Sequence, residues 1–71
     1  MNKTVDRISY HLVHDCDRES ICWEAQQNGC DLEVSKGRVT ICVWETNPYS
    51  SFFAMKYSDS CYAVEKESWY I

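Results

Sequence analysis

A chain of 71 residues, 45% hydrophobic and 14% aromatic, has material for one small domain, and at that size only about 60% of the unfolded surface can be buried. Seven basic against eleven acidic residues leave a net charge of −4, which disfavours unassisted binding to nucleic acid or an anionic membrane and suits a basic partner. No stretch reaches the roughly 18 apolar residues of a membrane span, and with both glycines assigned to turns no phosphate-cradling loop is available.

Residues 4–14 fit two periods. As a helix, Thr4 caps the start, Asp6 sits in the first turn, and Val5, Ile8, Leu12 and Cys16 form an apolar stripe with His11 and His14 near the negative end. As a strand, Ile8, Tyr10 and Leu12 alternate. The helix is preferred, because an antiparallel sheet with one apolar face needs a cover. Residues 15–19 then make a polar connection.

Residues 20–45 carry two turn signals inside one alternating pattern. An Asn28-Gly29 turn pairs Gln27 with Cys30, Ala25 with Leu32, Trp23 with Val34 and Ile21 with Lys36. A Lys36-Gly37 turn pairs Ser35 with Arg38, Val34 with Val39, Leu32 with Ile41 and Cys30 with Val43. Both registers agree on one buried set, namely Ile21, Trp23, Ala25, Cys30, Leu32, Val34, Val39, Ile41 and Val43. The competing reading is a helix capped by Asp17 and stopped by Gly29. The hairpin is preferred because it links the alternation Ile21, Trp23, Ala25 to the next strand. Its opposite face collects Glu24, Asp31, Glu33 and Trp44, with Glu24 directly across from Glu33, a like-charge placement that stability does not favour.

Pro48 makes residues 46–51 a loop. A strand follows at 52–57, then a polar turn at 58–60. Residues 61–66 read as a further strand, with a short helix as the alternative. The tail Ser68-Trp69-Tyr70-Ile71 is too apolar to dangle and is expected to pack across the core or join an interface. The expected fold class is α+β, an N-terminal helix packed on a four- or five-stranded antiparallel β-meander, in a single compact domain over residues 1–71.

The segment from Met1 to Arg7 has no apolar h-region, so a reducing cytoplasm is expected and the five cysteines read as small buried hydrophobes. In an exported chain, pairs such as Cys30 with Cys42 would become plausible. His11, His14, Cys16 and Cys22 are the only sequence-local set of metal-ligand types, but Cys-x-x-Cys knuckles are missing, so neither metal nor cofactor is expected. Cys16 beside His14 is the only local thiol and base, and a domain this small has little room for a substrate cavity, so the chain is read as non-enzymatic.

The acidic residues remain. Glu19, Glu24, Asp31 and Glu33 occur with no Lys or Arg between positions 19 and 34, and Glu45, Asp59, Glu65 and Glu67 extend the set. The candidate partner-binding residues are Glu24, Asp31, Glu33, Trp44, Glu45 and Tyr49, carboxylates for charge and aromatics for anchoring. In length, acidity and its Glu24/Asp31/Glu33 face, with aromatics near Asn47-Pro48-Tyr49, the chain resembles the small inhibitors that bacteriophages and mobile elements encode. Among these it is most similar to the anti-CRISPR proteins, several of which act as DNA mimics. The resemblance implies a stoichiometric inhibitor working in the host cytoplasm as a monomer or weak dimer. It would occupy the Lys/Arg-rich duplex-entry or protospacer-adjacent-motif groove of a CRISPR-Cas-like complex, without contacting nucleic acid or membrane itself. The alternatives are a Cys/His zinc-binding adaptor and a small structural or oligomerising protein.

Overall fold

A computed structural model describes residues 3–70; Met1, Asn2 and Ile71 lie outside the described residues. At the N-terminal end the alternation of Ile8, Tyr10 and Leu12 prevails over the helical stripe. The elements run β1 (Thr4–Leu12), α1 (Arg18–Gln27), β2 (Asp31–Ser35), β3 (Arg38–Trp44), α2 (Tyr49–Lys56) and β4 (Cys61–Tyr70). The fold is α+β, with a four-stranded antiparallel sheet in the order β2-β3-β1-β4. The expected N-terminal helix is therefore corrected to a central strand, and the expected meander to a sheet whose first strand lies between the third and the fourth. The physical reason lies in the ladders: Ile8 meets Val43, Tyr10 meets Ile41 and Leu12 meets Cys61. A strand placed between two others satisfies its backbone on both edges while its apolar row joins the apolar side chains of β3 and β4, which a helix lying on the sheet would not do.

The second hairpin is as expected. Ser35 faces Arg38, Val34 faces Val39 and Leu32 faces Ile41. Lys36 at φ 53° and Gly37 at φ 76° supply the two positive angles of a type I′ turn.

The first hairpin is not formed, and residues Arg18–Gln27 are helical. Asp17 Oδ1 accepts the Ser20 amide at 3.3 Å and caps the start. At the other end Cys30 N–H donates to Ala25 O at 2.9 Å and Gly29 N–H to Gln26 O at 3.2 Å, the paired bonds of a Schellman cap with Gly29 at φ 83°. Asn28-Gly29 is thus a helix stop rather than a hairpin turn, since a positive φ serves both. Ile21 and Ala25, four apart, remain buried as a helical stripe, whereas Trp23 projects the other way and is 64% exposed. Trp23 and the exposed Val34 are therefore removed from the expected core.

The expected strand at 52–57 is also a helix. Asn47 Oδ1 accepts the Tyr49 amide at 2.9 Å, and Pro48 occupies the first turn, where its missing N–H costs nothing. Tyr49, Phe53 and Tyr57 then fall on one stripe. Phe53 is fully buried, with ring centroids 5.2 Å from Tyr10, 5.2 Å from Tyr57 and 5.9 Å from Tyr49. Both helices thus cover the same face of the sheet, closing a core of Ile21, Ala25, Val39, Ile41, Val43 and Phe53. The expected strand at 61–66 is present and longer, taking Ser68, Trp69 and Tyr70 into β4; the Ile71 end of the expected tail lies outside the described residues.

Two predictions follow from these elements. Gly29→Ala places a Cβ in the left-handed region and should lower unfolding free energy by about 1–2 kcal/mol in urea titration, without changing the fold. Burial pushes the Cys30 and Cys61 thiols up to about 11 from 9.0. Between those pH values the unfolded chain has lost protons that the folded chain keeps. Stability is therefore full below pH 9 and should fall by about 1.4 kcal/mol per pH unit for each thiol as pH rises toward 11; urea midpoints measured across that window check it.

Candidate interaction face

Strand alternation sends a second set of side chains to the face the helices leave bare. Four rungs define it. Val5 lies beside Trp69; Trp44, Arg7 and Glu67 make the second rung; Asp31, Cys42, Ser9 and Glu65 the third; Glu33, Thr40, His11 and Tyr62 the fourth. Ser9 and Cys42 are short and central, so they are buried beneath the longer side chains around them, with Oγ and Sγ 3.5 Å apart.

Arg7 organises one end of this face. Its Nη2 donates to Glu67 Oε1 at 2.8 Å, and its guanidinium lies 5.5 Å from the Trp44 ring centroid and 5.7 Å from that of Trp69. The hydrogen bond to Glu67 raises the Arg7 pKa above its ordinary value, outweighing desolvation. The two indoles are themselves 6.3 Å apart. The guanidinium and the two indoles thus form a near-equilateral triangle in which one cation contacts both rings, and Trp69 remains 44% exposed. Tryptophan and arginine are the residue types that dominate binding energy at interfaces.

The carboxylates lie at the rims. Asp31 and Glu33 stand on edge strand β2, Glu65 and Glu67 on edge strand β4, and Asp31 and Glu65 share a rung. Three inter-strand steps of about 4.8 Å separate the two rows by about 14 Å, and successive carboxylates within the β2 row are about 7 Å apart. Four carboxylates face two guanidiniums, those of Arg7 and Arg38, across the surface.

Of the six residues expected to bind a partner, Asp31, Glu33 and Trp44 lie on this face; Glu24, Glu45 and Tyr49 do not. Glu24 belongs to α1, on the far side of the sheet from Glu33, so the expected Glu24/Glu33 opposition is corrected. Its Oε1 accepts from Lys56 Nζ at 3.0 Å, tying α1 to α2. Tyr49 is packed beside Phe53, and burial, with the nearby Glu24 carboxylate, pushes its hydroxyl up to about 12. Glu45 donates its amide to Asp6 O at 2.8 Å and lies 3.7 Å from Lys66 Nζ. Lys66 also reaches Asp6, whose pKa is lowered chiefly by the hydrogen bond from the Ser68 hydroxyl.

Sequence reasoning missed Arg7, Trp69 and Tyr62 as members of one surface. The signal was present in the strand reading of residues 4–12, which puts Val5, Arg7, Ser9 and His11 on one side. The candidate zinc set is dispersed, with His11 on β1 edge-on to Tyr62 at 5.9 Å and Cys22 on α1. Among the described residues no group of three or more His, Cys, Asp or Glu side chains is arranged to hold a metal ion, and no helix is long and apolar enough to cross a membrane. All five cysteines are free. No family model, curated protein or solved structure matches this chain.

Replacing Arg7 tests whether this cation holds the two indoles. Arg7→Ala should lower the urea midpoint and shift tryptophan emission to the red, and Arg7→Lys should fall between Ala and the parent because it keeps the charge without the planar stack.

Proposed function

We propose that the chain is a non-enzymatic binding protein that seats the helix-free face of its sheet on a basic, nucleic-acid-binding protein surface and so denies that surface to DNA. The observation that carries this reading is the pair of acidic rows on β2 and β4, with the cluster of Trp44, Arg7 and Trp69 at one end of the same face. Rows about 14 Å apart compare with the ~12 Å width of a B-DNA major groove, so a Lys/Arg-lined cleft built for two phosphate backbones meets charge at similar spacing. The cluster of Trp44, Arg7 and Trp69 supplies the aromatic anchor that charge alone lacks. A role as a DNA-mimicking inhibitor of a CRISPR-Cas-like complex, which the resemblance implies, is the specific form of this reading.

Two of the buried thiols are poorly suited to nucleophilic chemistry. Cys30 and Cys61 are protonated at neutral pH, and a thiol rather than a thiolate is a poor nucleophile. The chain is read as acting as a monomer or weak dimer in the cytoplasm. Edge strand β4 exposes Tyr62, Val64 and Tyr70. It is nevertheless blunted against self-pairing by the charged run Glu65-Lys66-Glu67 and by the register shift opposite Ser9 and Tyr10.

The test is a triple charge reversal, Asp31→Lys with Glu33→Lys and Glu65→Lys, assayed for inhibition of DNA binding by purified CRISPR effector complexes. These side chains are exposed, so stability should change by no more than about 0.5 kcal/mol each. The parent should inhibit at near-stoichiometric ratio, and the variant should need at least about ten-fold more protein, with a weaker dependence on salt. Equal potency of parent and variant, or no inhibition of any effector by the parent, would remove the proposal.

A further inference from the structure

The basic residues are not distributed like the acidic ones. Arg7, Lys56 and Lys66 are each ion-paired, whereas Arg18, Lys36 and Arg38 make no salt bridge among the described residues. These three cluster at one end of a molecule 43 Å long. Arg18, at the start of α1, donates from Nη1 to Gly37 O at 3.3 Å, which draws it to the β2–β3 turn. Lys36 stands in that turn and Arg38 just beyond it, on the helix-free face. The three charges therefore form a strip that wraps over the turn from the helical layer to the bare face.

Two shallow notches flank the strip, of about 420 Å³ and 330 Å³, and Lys36 and Arg38 line both. No carboxylate lines either one. Tyr62, 52% exposed, lines the larger notch and His11 the smaller, and the two rings are the edge-on pair already described. Cations spread along a line suit a ligand with repeated charge better than one compact anion, and an exposed ring beside them offers a surface on which a base can stack. The geometry points to this strip as a binding site for a short single-stranded nucleic-acid segment, with phosphates on Arg18, Lys36 and Arg38 and one base on Tyr62.

The net charge of −4 does not forbid this, because exposed charges are largely screened beyond about 8 Å at physiological ionic strength and the carboxylates of Asp6, Glu45 and Glu67 lie at the opposite ends of β1, β3 and β4. Closer carboxylates do oppose it. Asp17 and Glu19 neighbour Arg18 in sequence, and Glu33 stands diagonal to Arg38 across the β2–β3 ladder. Affinity is accordingly weak, with Kd on the order of 10⁻⁴ M at low salt. The site adjoins the acidic face at Glu33 but is carried by different residues, so the two proposals stand or fall by different substitutions.

Fluorescence anisotropy with a labelled oligothymidylate tests the assignment. Three phosphate contacts on a single strand predict a slope of log K against log salt of about −2. The triple variant Arg18→Gln, Lys36→Gln and Arg38→Gln should abolish binding. Lys3→Gln, which removes an equally exposed cation about 30 Å away at the other end of β1, should leave it intact. Tyr62→Ala should weaken binding roughly ten-fold at unchanged slope. The assignment is overturned if the parent shows no saturable binding below roughly millimolar concentration, if the triple variant binds like the parent, or if Lys3→Gln is as damaging. Displacement by equimolar inorganic phosphate, together with full affinity in Tyr62→Ala, would also overturn it and leave a plain anion site.

Discussion

Burial of Phe53 against Tyr10 is the contact from which the arrangement of this molecule follows. It joins the middle of α2 to the middle of the central strand, and full burial of such a ring stabilises by roughly 1.5–3 kcal/mol. With Tyr49 and Tyr57 beside it on the same stripe, α2 has one way to lie. Ile21 and Ala25 bring α1 down on the same side, where Val39, Ile41 and Val43 wait. The buried apolar residues of this short chain lie almost entirely on that one face of the four strands.

The bare face is the consequence. Its central positions are short or polar, namely Ser9, Thr40 and Cys42, and its rims are acidic. Such a face is soluble without a cover, yet it holds two indoles and a guanidinium in fixed relation. Rigidity there comes from backbone ladders on both sides of β1 rather than from a core beneath a loop, so a partner would meet a surface that loses little conformational freedom on binding. The opposite face, where Glu24, Lys56 and Tyr49 interact, joins the two helices and has the character of a structural seam.

Charge is sorted along the molecule as well as across it. Cations that have carboxylate partners lie near the Arg7 and Lys66 end or between the helices, and three that make no salt bridge among the described residues, Arg18, Lys36 and Arg38, gather at the β2–β3 turn. A net charge therefore describes this protein poorly. What a partner meets is set within a Debye length, and at that scale the molecule presents both an acidic and a basic surface.

Several features were legible from residues alone because they are local. The Lys36-Gly37 turn and its register needed only two positive-φ positions and the pattern on either side, and β4 needed only its alternation. Asn28-Gly29 was different, because one pair of residues ends a helix as well as it turns a hairpin, and Ile21 and Ala25 satisfy both periods. The ambiguity of residues 4–12 was of the same kind. Tertiary structure decided these cases: once Ile8 and Tyr10 paired with Val43 and Ile41 on β3, and Tyr10 and Leu12 with Ala63 and Cys61 on β4, the first segment became a strand, and the cover it would have provided had to come from α1 and α2. That choice moved Glu24 away from Glu33 and brought Arg7, Trp44, Trp69, Glu65 and Glu67 together. A short-range pattern can name the side chains available, but which of them share a surface depends on pairings between segments far apart in the chain, as between Arg7 and Glu67, 60 residues apart, and no local period encodes those.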